Sequence, residues 1–159
     1  MLLCNEIRIG NYILINKEIR QVTMINNDPG FADVPMIGFK EKEDNFISCH
    51  HEHVTPVPLT NEVLQQCGFT YHSYFHFWQL ISSESGTRVE MDIDLDYNLI
   101  DYMRRPIVKK LHSLHQLQNL YFALKGTELV FKGKDAIEPG VNNGKLVIGT
   151  VPAAATALA

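Results

Sequence analysis

Residues 48–54 read Ser-Cys-His-His-Glu-His-Val, the densest run of metal-ligating side chains in the chain. If this stretch is a strand, Cys49, His51 and His53 share one face, because side chains alternate along extended backbone. Thiolate and imidazole are ligands that suit zinc. Successive positions on one face lie about 6.6 Å apart, so two of the three can reach one ion and the remaining ligands must come from elsewhere. His72 and His76 can supply them; no cofactor is expected, and zinc is the alternative whose donor set the chain offers. The plainer reading is a polar, solvated strand edge, since the spacing matches no zinc-finger pattern.

Three further constellations carry charge or aromatic rings. In 88–97, Val89, Met91, Ile93, Leu95 and Tyr97 alternate with Glu90, Asp92, Asp94 and Asp96, the pattern of a half-buried antiparallel strand with one acidic face. Clustered carboxylates can take a hard cation or imitate a nucleic-acid backbone, but a solvated outer face explains them as well. In 71–80, extended backbone would put His72, Tyr74, His76 and Trp78 on one face and Phe75 and Phe77 on the other. A base-stacking platform looks like this, but it lacks the basic residues that hold phosphates, so a sheet covered on both sides is preferred. Arg104, Arg105, Lys109 and Lys110 form the one basic cluster, with Arg104, Arg105 and Lys109 as candidate anion ligands. Neither a nucleophile elbow nor a glycine-rich phosphate loop occurs, and the expectation is a protein that is not an enzyme.

A chain of 159 residues with 45% hydrophobic residues is enough for one domain with a real core. The net charge of -4 argues against nucleic acid as a partner. No apolar run approaches the ~18 residues of a membrane span. Three widely spaced cysteines suggest no disulfide framework and a reducing cytoplasm.

The clearest element is the helix expected over 112–126. Leu114, Leu117, Tyr121 and Leu124 form its apolar stripe, Ser113 and Gln116 a capping box, and Gly126 its end. A shorter helix is expected in 56–69, with Thr60 as N-cap, Leu59 stapled onto Leu64, and Gly68 closing it. Before it, 7–26 reads as two strands around a turn at Asn16-Lys17, with a bulge or bend at Gly10. Strands at 36–40 and 46–54 complete a short-stranded sheet or SH3-like barrel. After it come two long strands, 70–81 and 87–97, joined by a hairpin loop at 82–86, then strands at 107–111 and 127–131. The fold class is therefore α+β, with a domain over 1–132. Residues 133–159 read as an arm or tail that holds one strand at 145–148 and favours self-association by pairing with a strand edge.

Three stretches of this sequence, EIRIGNYILINKEIRQVT, PVPLTNEVLQQCGF and HQLQNLYFALKGTEL, resemble a set of small proteins from bacterial genomes and their phages or prophages. The pattern of that family runs L-R-I-G-N, then P-I-P-L-T-E-E-x-L-x-x-C-G-F, then H-Q-L-Q-N-L-Y-F-A-L-T-G-E-E-L. Lys125 stands where the family has Thr and Asn61 where it has Glu, and the tail after 132 departs from it. The family brings no activity and no catalytic residues. The resemblance implies a mobile-element product in the cytoplasm of an infected or lysogenic bacterium, a non-catalytic accessory protein that binds a macromolecule, most simply another protein. Two alternatives stand beside it. One is a metal-binding protein using Cys49, His51 and His53. The other is an anti-defence small-ligand sponge with Arg104, Arg105 or Lys109 facing an anion.

Overall fold

Four residues, Tyr12 to Ile15, tie the molecule together because both of their faces are apolar. Ile13 and Ile15 enter one cluster with Ile7, Val22, Ile37, Phe39 and Val54, while Tyr12 and Leu14 pack against another. In this computed structural model, residues 4–28, 30, 33–40, 46–81 and 88–134 are described. Strand β1 (Tyr12–Ile15) turns through Asn16 and Lys17 into β2 (Glu18–Asn26). Both turn residues have positive φ, 51° and 69°, the two-residue hairpin geometry that matches strand twist. Gly10, at φ 96°, lies in a bend before β1 and not inside it. The Gly10 N–H donates to Val22 O and the Val22 N–H to Asn11 O, each at 2.8 Å, so the ladder continues around the bend.

Strands β3 (Met36–Lys40), β4 (Phe46–His50) and β5 (Val54–Pro56) complete an antiparallel sheet of order β4-β3-β2-β1-β5. The expected barrel is not closed: β4 and β5 are the two edges, and no sheet closes on itself among the described residues. The expected strand 46–54 is likewise interrupted, by a 3-10 turn over His51–His53.

Helix α1 (Asn61–Gln66) follows with the predicted ends. Thr60 accepts a 3.3 Å hydrogen bond from Val63 N, and Gly68 takes φ 88°. The second sheet has the order β10-β9-β8-β7-β6, made of β6 (Thr70–His72), β7 (Phe77–Ile81), β8 (Val89–Asp94), β9 (Leu99–Ile100) and β10 (Pro106–Val108). The expected long strand 70–81 is in fact a hairpin of its own, since residues 73–76 turn and pair Tyr71 with Trp78. Likewise β8 stops at Asp94, the strand expected at 107–111 ends at Val108, and 127–131 is irregular although Leu129 and Phe131 are buried. The 82–86 loop, the strand expected at 145–148 and the self-association attached to the tail lie outside the described residues.

The main core fills the space between the second sheet and both helices, with Trp78, Leu80, Met91 and Ile93 facing Leu64, Leu114 and Leu117. Helix α2 (Leu114–Lys125) ends at Gly126 in the left-handed conformation, as its sequence requires. Its buried side differs from expectation. Leu114, Leu117 and Tyr121 are inside, but Leu124 is 57% exposed, and the polar His115 and Gln118 are buried instead. The capping box is also rearranged, because Gln116 Oε1 accepts from His112 N at 2.9 Å and the Ser113 side chain makes no cap bond. Ser113 instead bridges to Pro58, and Leu114 N donates to Val57 O at 2.9 Å, which seats the α1 segment against the start of α2. No helix among the described residues is long and apolar enough to cross a membrane.

Candidate functional site

Sharing a face required Cys49, His51 and His53 to lie on continuous extended backbone. The 3-10 turn removes that condition just after His50. His51 turns inward, its N–H donating to Pro35 O at 3.1 Å and its Nδ1 buried without a partner, while His53 is exposed. Burial pushes the Cys49 thiol up, which disfavours the thiolate a metal needs. His72 belongs to the other sheet, and His76 to the turn that joins its strands β6 and β7. The His72 ring stacks on Phe77 at 5.1 Å, and His76 Nδ1 lies 3.2 Å from the Tyr71 hydroxyl. Among the described residues no group of three or more His, Cys, Asp or Glu side chains is placed to hold a metal ion.

The acidic row is dismantled by local geometry. The register shifts between Leu80 and Ile81, which pair with Met91 and Val89, so Glu90 is the extra residue of a bulge. Glu90 accepts a 2.6 Å hydrogen bond from the Tyr121 hydroxyl. Asp92 accepts from Gln79 Nε2 at 3.0 Å, and Asp94 holds the following turn through the backbone N–H groups of Asp96 and Asn98. Three of the four carboxylates therefore have structural partners.

The basic cluster is divided too. Arg105 binds Asp101 through Nη2 at 2.8 Å and Nε at 2.9 Å, and Asp101 also accepts from the Met103 and Arg105 N–H groups. Led by the Arg105 N–H, these contacts hold the Asp101 carboxyl below the usual range. Arg104, at φ 62°, extends to the 73–76 turn, where its Nη1 donates to Phe75 O at 3.2 Å. Its guanidinium lies 4.5 Å from the Phe75 ring centroid and 5.3 Å from that of Phe77. Two turns are thereby joined, and they carry the most exposed aromatic residues described: Tyr74 at 86% and Tyr102 at 90%, with Phe75 and Met103 beside them in sequence, each about half exposed. Tyr74 meets Phe75 edge-on at 4.8 Å. Lys109 takes part in neither turn and lines an open cleft with Lys110.

The sequence reading missed a polar clasp between the start of the chain and α2. Gln118 Oε1 accepts from Tyr12 N at 2.9 Å, and its Nε2 donates to Gly10 O at 3.4 Å. Asn119 Oδ1 accepts from Asn11 Nδ2 at 2.9 Å and from Arg8 Nε at 3.3 Å, and Asn119 Nδ2 donates to Glu6 O at 2.9 Å. Arg8 also pairs with Glu128 and lies 4.1 Å over the Phe122 ring. The usable signal was polar: Gln118 lies on the same face of the helix as Leu114, Leu117 and Tyr121, at spacings of three and four, so it faces the interior with them. None of the known protein families, curated proteins or solved structures compared with the chain matches it.

Proposed function

We propose that this chain is a non-catalytic accessory protein of phage or prophage origin, working in the bacterial cytoplasm, that binds another protein through its paired aromatic turns. The observation that carries this reading is the presentation of Tyr74 and Tyr102, almost fully exposed, on turns held in place by Arg104 and Asp101. Large amphipathic rings on rigid supports supply contact area at low entropic cost and dominate many interfaces. Free thiols at Cys49 and Cys67 support a reducing compartment. The order of the first sheet, with a 3-10 turn between β4 and β5, supports an SH3-like reading of that half, which by itself carries no function.

Affinity capture from the native host, with the full chain and with a Tyr74→Ser/Tyr102→Ser variant, tests this. The full chain retains a partner that the variant loses, while the two melting temperatures agree within about 2 °C because both residues are exposed. Equal capture by both proteins would remove the aromatic turns from the interface.

A further inference from the structure

An open cleft of about 380 Å3 lies between the segment after β10 and α2. Val108, Leu111 and Leu120 supply its apolar lining, and Lys109, Lys110 and Gln116 its hydrogen-bond donors. Consecutive residues of an extended chain point to opposite faces. Both lysines line the same cleft because Lys110 adopts the left-handed conformation, φ 52°, fixed by its N–H donating to Asn98 Oδ1 at 2.9 Å. A bulky side chain held in that region is uncommon. Neither ammonium has a hydrogen-bonding or ionic partner among the described residues. Gln116 is oriented by its Oε1, which accepts from His112 N, and this leaves the Nε2 hydrogens as donors. Asn119, also in the wall, is locked by Asn11, Arg8 and Glu6 O and so adds rigidity and no free donor. Glu6 supplies the one carboxylate at the rim.

From these groups we infer that the cleft binds a small organic phosphate of about mononucleotide size. Lys109, Lys110 and Gln116 Nε2 take the dianionic head, for which two compact ammonium charges are suited. The body lies on Val108, Leu111 and Leu120. The volume falls in the range of small-molecule sites, which are apolar with a few convergent polar groups. Of the three expected anion ligands only Lys109 lines this cleft, while Arg104 and Arg105 are engaged elsewhere. The cleft shares no residue with the aromatic turns, so this inference does not rest on the protein-binding reading.

Calorimetric titration of the full chain with adenosine 5′-monophosphate, adenosine, inorganic phosphate and benzoate is decisive. The monophosphate saturates with a Kd below ~1 mM, and the other three bind at least ~10-fold more weakly. Lys109→Gln/Lys110→Gln weakens the monophosphate at least ~10-fold while keeping the parent melting temperature, because both side chains are exposed. Gln116→Ala weakens it to a smaller degree. Binding unchanged in the double lysine variant overturns the site. Benzoate equal to the monophosphate overturns the phosphate assignment, and no saturation by any probe overturns both.

Discussion

Gln118 shows how much one buried amide can organise. It sits 1% exposed on α2 and satisfies two backbone groups of the chain's start, Tyr12 N and Gly10 O. Gln118→Ala removes both of these bonds, Gly10 O keeping only a 3.3 Å hydrogen bond from Gln21 Nε2, and a buried group that loses its partner costs roughly 1–3 kcal/mol. Urea unfolding should therefore show a loss of about 1–3 kcal/mol, larger than for Leu124→Ala on the same helix, where the side chain is already exposed. His115, a turn earlier, is buried with Nδ1 unpartnered. Burial holds its imidazole below the ordinary 6.5, against a weaker upward pull from the Glu6 carboxylate. The folded state therefore favours neutral His115, and as pH falls through about 6.5 the unfolded chain takes up the proton first. His115 contributes full stability above that pH and loses it on acidification until the folded imidazole also titrates. Denaturant midpoints between pH 7.5 and 5 should fall more steeply for the parent than for His115→Gln, and parallel slopes would contradict this.

At the scale of elements, the bulge in β8 decides what the acidic strand does. The extra residue, Glu90, reaches the Tyr121 hydroxyl of α2 and ties sheet to helix at 2.6 Å. Burial, and then the Glu90 carboxylate, push the Tyr121 phenol up to about 12. Tyr121→Phe keeps the ring in the core and removes the hydroxyl, with its bond to Glu90 and its contact with Thr127, so a loss of about 1.5–3 kcal/mol is expected, the range for hydrogen bonds to a charged group. Ultraviolet titration should show one tyrosine ionising near the top of the alkaline range, absent from the variant. If all tyrosines ionise together near 10, the bond to Glu90 does not form.

At the scale of the whole molecule, the core of the described residues runs to Phe131. Phe131 lies 5.0 Å from the Tyr12 ring, and a 3-10 turn over Lys132–Lys134 follows it. A chain ending at Lys134 should unfold in one cooperative transition, since it keeps every buried residue among the described ones. The arm contains KLVIGTVP, rich in β-branched residues and low in charge, whose composition suits pairing with an exposed strand edge. Light scattering should give the full chain a larger assembly than the truncated one; equal monomer masses would end the proposal that the arm drives self-association.

Local chemistry was readable without tertiary structure wherever it reports a backbone preference. Thr60 and Gly68 bound α1, Gly126 ends α2, Asn16-Lys17 turns the first hairpin, and the alternation of Met91 and Ile93 points one face of β8 inward. Each depends on residues within a few positions of one another, and composition suffices for them. The breaks at residues 73–76 and His51–His53 escaped that reasoning, because alternation assumes continuous extended backbone and short turns there cost little in pattern. The clasp is the clearest case of what only tertiary structure decided. Asn11 and Asn119 are 108 positions apart, and nothing in either neighbourhood names the other as partner. The segments 6–23 and 115–129 meet there, and 56–69 docks beside them, Val57 O accepting from Leu114 N and Pro58 bridging to Ser113. A buried polar side chain takes its place from acceptors that folding brings to it, and its own sequence neighbours do not contain that information.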